Sequence, residues 1–172
     1  MRMTQFLKYY SANTHEILEL PFKNPKLSMF IFLPEFIDGI HHTELDLQRS
    51  ISEDLCKMER EIIEVALPKF KFHSSAYLSK CLSIMEDGKS FTPGSEDLSV
   101  MFRNKSLSLG EMYQKTYVEV NEEGVDVPLN IPIKPLDGIK NALLFEVNHP
   151  FMFIIKDLRT EIILFIGRVE EI

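Results

Sequence analysis

Residues 149–169 read HPFMFIIKDLRTEIILFIGRV, and this stretch decides the fold. Two apolar runs, Phe151–Ile155 and Ile162–Ile166, flank the polar turn Asp157-Leu158-Arg159-Thr160. Apolar runs without polar alternation are typical of strands that are covered on both faces. The stretch therefore predicts a hairpin of two deeply buried antiparallel strands.

A third run of the same character lies near the start of the chain. Leu27–Leu33 is almost continuously apolar and is bounded by Pro25 and Pro34. We expect it to share one sheet with the two hairpin strands, as the three most buried strands of that sheet. On this prediction, the rings of Phe153 and Phe165 both lie in the core.

Four further segments show strand character, through short apolar runs or through alternation of apolar and polar residues. They are Phe6–Tyr10, Glu16–Phe22, Glu61–Phe72 and Gln114–Asn121.

Two segments show helical periodicity instead. In His41–Lys57 the apolar residues Ile51, Leu55 and Met58 are spaced by four and three, which places them on one helix face. Ser50 and Glu53 have the spacing of a capping box. Ser75–Glu86 repeats the pattern with Leu78, Leu82 and Met85. Together the elements predict an α+β fold with mostly antiparallel sheets and a few helices.

Composition excludes some classes of partner. The chain has 172 residues, enough for a single domain covering 1–172, and a net charge of −7. An acidic chain with scattered basic residues is unsuited to nucleic acid, which requires clustered positive charge. The apolar runs are too short to span a bilayer, so we expect no membrane partner.

The residues that could perform chemistry do not form a convincing catalytic or metal site. His41 and His42 are adjacent and point to different helix faces, so they are poorly placed to bind one metal even with Cys56 or Cys81. We interpret the two cysteines as free thiols. Glu122-Glu123 is a carboxylate pair whose members point oppositely on a strand. We therefore predict no catalytic residue, no metal, no cofactor and no enzymatic activity.

Three long segments resemble the serpin family of protease inhibitors, and their order and approximate spacing also agree. They are Tyr117-Val118-Glu119-Val120-Asn121-Glu122-Glu123-Gly124, His149-Pro150-Phe151-Met152-Phe153-Ile154-Ile155 and Ile163-Leu164-Phe165-Ile166-Gly167-Arg168-Val169. The resemblance covers essentially the whole chain. It implies the C-terminal half of a serpin fold, because a complete member of the family is about twice this length.

The resemblance also implies a mechanism. Residues 125–142 would be the reactive loop, which offers a peptide bond to a serine protease and, once cut, inserts into the large sheet. The two ways of aligning the loop differ by one residue, so the bait bond is bracketed by Asp137, Gly138, Ile139 and Lys140. The hinge would be formed by Glu122, Glu123, Gly124 and Val125. The resemblance further implies a secreted protein with a serine protease as partner.

The hinge departs from the inhibitory pattern of small residues, because Gly124 is followed by Val125-Asp126-Val127-Pro128. We therefore predict a chain that does not trap proteases; the alternative is a functional inhibitor with its bait near 137–140. The absent half also predicts self-association or docking with that half.

The segment after Gly124 carries one sharper prediction. Apolar residues alternate with polar or proline residues from Val125 to Ile133, which is typical of a strand with one buried face. Pro128 and Pro132 are an even number of residues apart, so the amide hydrogens that they lack would lie on the same side of a strand. An edge strand tolerates proline when that side meets solvent. We expect the loop to fold back beside Gln114–Asn121 as an edge strand; the competing picture is an exposed bait loop.

Overall fold

The computed structural model describes residues 1–84, 111–121 and 142–171. Within these ranges the chain forms nine strands and two helices. In chain order they are β1 (Arg2–Ser11), β2 (His15–Pro21), β3 (Leu27–Pro34), α1 (Ile40–Cys56), β4 (Glu59–Ala66), β5 (Phe70–Tyr77), α2 (Leu78–Ile84), β6 (Tyr113–Val120), β7 (Leu143–Glu146), β8 (Phe151–Asp157) and β9 (Ile163–Val169).

Seven of the strands form one sheet, in the order β7-β4-β1-β2-β3-β8-β9. Every neighbouring pair is antiparallel except β4 and β7, which run parallel. Strands β5 and β6 form a separate two-stranded sheet. The α+β class with mostly antiparallel sheets is thereby confirmed.

The centre of the large sheet is as apolar as the sequence indicates. β3 pairs with β8 so that Ile31 lies opposite Phe153 and Phe32 opposite Met152. Both Ile31 and Phe32 are 0% exposed and Phe153 is 1% exposed. Each such side chain contributes about 1.5–3 kcal/mol on burial. The predictions for Leu27–Leu33 and Phe151–Ile155 are confirmed.

The hairpin turn is also confirmed, and its geometry follows from one side chain. The Asp157 carboxylate accepts hydrogen bonds from the backbone N–H groups of Arg159, at 2.8 Å, and Thr160, at 3.2 Å. These two bonds stabilise the charged form and hold the pKa of Asp157 below its ordinary value.

The prediction that Ile162–Ile166 is among the most buried segments is wrong. β9 is the last strand at one edge of the described sheet. Phe165 is 42% exposed and Ile166 is 63% exposed, whereas Val169 at the end of the strand is buried. An apolar run predicts cover on both faces, yet its position at a sheet edge depends on the whole topology.

Helix α1 packs on one face of this sheet against β3 and β8. Its side chains Ile40 and Leu47 join a buried cluster with Phe32 of β3. The helix predicted over His41–Lys57 is thus confirmed. The predicted capping box is wrong, because the helix begins after Gly39 and Ser50 lies inside it.

Two other boundaries differ from prediction. Glu61–Phe72 is not one strand, since Pro68 separates β4 from β5 and has no N–H to donate to a ladder. The first residues of the predicted helix Ser75–Glu86 still belong to β5, and α2 begins at Leu78. The helical spacing of Leu78 and Leu82 is real, and both side chains are half-buried. Met85 lies outside the described residues.

The chain divides into two compact units. One contains Met1–Phe70 and Val120–Ile172, and the other contains Lys71–Glu119. The prediction of a single domain over residues 1–172 stays a prediction.

Candidate functional site

The predicted site residues lie outside the described residues. This holds for the hinge, Glu122, Glu123, Gly124 and Val125, and for the bait bracket, Asp137, Gly138, Ile139 and Lys140. The predicted edge strand over Val125–Ile133 lies outside them as well. What the structure describes is the pair of strands on either side, β6 before the segment and β7 after it.

The incoming strand β6 alternates as predicted. Val118 is 7% exposed and Val120 is 3% exposed. Tyr117 and Glu119, which alternate with them along the strand, are exposed to solvent. The period of two therefore continues to the last described residues before the segment.

The exposed face of β6 forms a ladder of side chains with β5. Its three cross-strand pairs are Lys71 with Glu119, His73 with Tyr117, and Tyr77 with Tyr113. The ring centroids of the two aromatic pairs are 4.8 and 5.0 Å apart. Because the partners occur in opposite order along the two strands, β5 and β6 are antiparallel. Such pairs contribute about 0.2–1 kcal/mol each and fix the register of β6.

Lys71 sits at the end of this ladder that is nearest in sequence to the segment. Its ammonium lies 5.5 Å from the centre of the Tyr117 ring and 3.8 Å from the Glu119 carboxylate. Hydrogen bonding to Tyr117 and the negative charge of Glu119 raise the pKa of Lys71. The ladder thus ends with the ion pair of Lys71 and Glu119, one residue before the end of β6.

The exit strand β7 was missed by the sequence reasoning. It pairs in parallel with β4 and places Phe145 beside Val65. Phe145 is 0% exposed, and its ring meets that of Tyr9 edge-on at 6.4 Å. Leu143 and Leu144 are exposed. The available signal was the alternation of Phe145 and Val147, two buried residues separated by Glu146.

The chain after β7 is anchored by His149 and Phe151. A ring nitrogen of His149, Nε2, lies 2.7 Å from the carbonyl oxygen of Pro34. Phe151 is fully buried and packs edge-on against Phe70, with centroids 5.5 Å apart. The segment that ends at Ala142 is therefore followed by β7 and then by two residues with fixed contacts, His149 and Phe151.

A cleft of about 630 Å³ lies beside the exit strand. Its rim carries three carboxylates, Glu16, Glu35 and Glu146. Tyr9 donates a hydrogen bond to Glu16, and burial together with that bond and the charge of Glu16 raises the pKa of Tyr9 to about 12. Arg2 lies 3.8 Å from Glu146. Two of the three carboxylates therefore have partners that the fold itself provides.

The other candidate residues stand apart. His41 is paired with Glu44 at 3.8 Å on the surface of α1. Cys56 and Cys81 are free, exposed thiols, as interpreted. Among residues 1–84, 111–121 and 142–171, no three His, Cys, Asp or Glu side chains are grouped as a metal site. No helix in these ranges is long and apolar enough to cross a membrane.

Known proteins are similar to this chain in sequence and in fold. The family profile described as "Serpin (serine protease inhibitor)" matches residues 1–172. A serpin-like protein of Methanosarcina acetivorans, described as uncharacterized, is 33% identical over 99% of this chain and 40% of its own length. The leukocyte elastase inhibitor of Xenopus tropicalis is 37% identical over 88% of this chain and 42% of its own length.

Two further matches extend the comparison. Intracellular coagulation inhibitor 2 of Tachypleus tridentatus is 31% identical over 95% of this chain and 41% of its own length. The crystal structure of a serpin described as highly specific, from the insect Tenebrio molitor, superposes with a TM-score of 0.80. It is 33% identical, and the match covers 99% of this chain and 46% of that one. The chain thus spans about two fifths of the length of these curated relatives.

The expected secretion finds no support in these matches. One relative carries the word intracellular in its name.

Proposed function

The chain belongs to the serpin family, and we propose that it carries the protease-facing part of a serpin, with residues 125–142 as the bait loop. The observation that carries this proposal is that the strands before and after the segment, β6 and β7, are each held in place by their own contacts. β6 leads toward it with its register fixed by the ladder of side chains, and β7 follows it with Phe145 buried. Each end of the segment thus adjoins a strand whose pairing is fixed within its own sheet, which suits a loop that is presented to a partner.

Within this proposal, the protease attacks a bond among Asp137, Gly138, Ile139 and Lys140. Lys140, or Lys134 earlier in the loop, would suit a protease pocket that selects a cation through a buried carboxylate. The protease supplies the nucleophile in this reaction. The chain itself acts as bait and is not an enzyme.

We propose further that this chain is cut without trapping the protease. Trapping requires the cut loop to enter a large sheet as a new strand. Val125 of the hinge and Val127 after it are bulky, and the next residue, Pro128, lacks an N–H, which opposes rapid insertion. Within the described residues, β6 has a single strand partner, β5. Slow insertion allows hydrolysis to finish first.

The alternative function is that of a working inhibitor of serine proteases. It is favoured by the relatives, since one that is 37% identical is named as an inhibitor of elastase.

Incubation of the full chain with trypsin, chymotrypsin and elastase separates the two functions. We expect cleavage within 125–142, mapped by mass spectrometry, and no complex on a denaturing gel. Lys140→Ala should remove a trypsin cut after residue 140, whereas Lys134→Ala, at the other candidate lysine, should leave that cut in place. A covalent complex that survives denaturation supports the inhibitor instead. Cleavage confined to residues outside 125–142 contradicts both.

A further inference from the structure

The side chain of His15 in β2 is buried, and the adjacent residue Thr14 is hydrogen-bonded to Asp46 of helix α1. It is 2% exposed, and its ring lies 6.0 Å from that of Phe32. Phe32 belongs to the buried cluster that also contains Ile40 and Leu47 of α1. A charge on the His15 ring would therefore be placed beside the apolar contact that holds the helix on the sheet.

The hydrogen bonds around His15 determine which ring nitrogen carries the proton. The Thr14 hydroxyl donates to the Asp46 carboxylate of α1 at 2.7 Å, so its proton is already in use. Its oxygen lies 3.0 Å from Nδ1 of His15 and can only accept there. The neutral ring is thus protonated on Nδ1, and Nε2 holds the lone pair.

That lone pair has no partner among the described residues, and Nε2 is shielded from solvent. A proton added there on acidification creates a buried N–H without an acceptor and a buried positive charge. Both changes cost free energy unless the site opens to water. Protonation and opening of the contact between α1 and the sheet are therefore coupled.

We propose that His15 is an acid-sensitive latch, which keeps α1 on the sheet when its ring is neutral and loosens the helix when the ring is protonated.

The charged groups around the ring do not reverse this coupling. From α1, Asp46 is held by Thr14, and Asp54 is paired with Lys57 at 3.1 Å. From β3 the neighbour is the uncharged ring of Phe32. Beyond Pro34, the strand partner of His15, lies His149, and Glu16 and Glu35 line the same cleft as His15. The charges that raise the pKa of His15 are those of Asp54 and Asp46.

The sign of the pH dependence follows from these terms. Burial lowers the pKa of His15 below its ordinary value of 6.5 by more than Asp54 and Asp46 raise it. The opened state therefore binds the proton more readily than the closed state. The contribution to stability is present above about pH 6.5 and is lost as the pH falls through the lowered pKa.

Hydrogen exchange of the full chain, followed by mass spectrometry between about pH 7.5 and about pH 5, tests the latch. After correction for intrinsic exchange rates, peptides from residues 40–56 should lose protection on acidification. The opening constant should rise about tenfold for each unit by which burial lowers the pKa. Peptides from β3 and β8 should change less.

Two variants make the test specific. His15→Gln should abolish the loss of protection on acidification. His41→Gln, which removes an exposed histidine of α1, should retain it. A loss of protection that persists in His15→Gln, or that is absent from the parent chain, overturns the proposal. Should His15→Gln not fold, NMR titration of the parent chain decides, because a His15 ring that titrates at or above pH 6.5 also overturns it.

Discussion

At the scale of single residues, Gly167 and Phe153 illustrate how closely two strands of the described sheet pack. They lie opposite each other in the pair of β8 and β9. A Cβ atom on Gly167 would come within 2.4 Å of Cε1 and 2.5 Å of Cζ of the Phe153 ring. Phe153 is 1% exposed, so the ring has little room to turn away. The absence of a side chain at residue 167 is thus what lets β9 pair closely with β8.

We predict that Gly167→Ala lowers the free energy of unfolding by about 1–3 kcal/mol, as overpacking does in other cores. Urea denaturation followed by circular dichroism measures the change. Phe153→Leu provides the control, because a smaller side chain leaves space for the new methyl group. In that background the alanine should cost clearly less. Equal costs in both backgrounds would show that the clash with the ring is not the cause.

The residue scale also shows where sequence reasoning stops. Phe153 and Phe165 occupy similar apolar runs, yet one is buried and the other is 42% exposed. An apolar run indicates that burial of its side chains would be favourable. Whether they are buried depends on which strand lies at the edge of the sheet. His15 carries no local signal at all. Its ring nitrogen Nε2 is buried without a hydrogen-bond partner among the described residues. The ring lies near Phe32, which packs with α1, and both come from other parts of the chain.

At the scale of elements, helix α1 was predictable because its periodicity is local. The predicted range His41–Lys57 agrees with Ile40–Cys56 to one residue at each end. The capping box was misassigned because Ser50 and Glu53 match a capping pattern by spacing alone. In the folded chain the Ser50 hydroxyl bonds inside the helix, to the carbonyl oxygen of Asp46 and to the Asp54 carboxylate.

The same helix supplies a matched pair of leucines. Leu47 is 6% exposed within the buried cluster, whereas Leu45, two residues earlier, is 49% exposed. We predict that Leu47→Ala lowers the free energy of unfolding by about 2–5 kcal/mol, through lost burial and a cavity. Leu45→Ala should change it by about 0.5 kcal/mol or less.

Chemical denaturation of the two variants under identical conditions measures the difference. Both substitutions remove the same atoms and give the same helix propensity, so the difference reports burial. Comparable losses of stability would mean that α1 does not pack on the sheet through Leu47.

Strand β7 explains why the candidate site was only partly predictable. Its pairing with β4 joins residues far apart in the chain, Ile63 with Leu143 and Ala66 with Glu146. The resemblance to the serpin family implied a reactive loop over residues 125–142, so the end of the loop was predicted. The sequence did not indicate with which strand the chain pairs after this loop. Parallel partners are set by the topology of the whole sheet.

At the scale of the whole molecule, the two edges of the described sheet differ. The β7 edge is four residues long and carries the charged Glu146. The β9 edge is seven residues long and begins with four apolar residues that are all exposed, Ile163, Leu164, Phe165 and Ile166. Natural edge strands are usually protected by charge, proline or shortness. The β9 edge has none of these protections along its first four residues.

We therefore predict that the 172-residue chain associates through β9 in a concentration-dependent way. Ile166→Lys should shift the chain toward monomer, because a lysine on an edge strand opposes pairing with another strand. Ile166 is 63% exposed, so the substitution leaves the core intact. Ile37→Lys, at a residue that is 72% exposed and outside any strand, is the matched control. Static light scattering over a range of concentrations measures the mass of the particles.

Charge distinguishes a local effect of the lysine from a general one. The chain has a net charge of −7, so either substitution brings it to −7 + 1 = −6 and weakens the repulsion between copies. A general effect of charge would therefore increase association in both variants. Loss of association in Ile166→Lys together with its retention in Ile37→Lys can arise only from the β9 edge. A parent chain that stays monomeric at high concentration would contradict the prediction, since it would show that water tolerates this apolar edge.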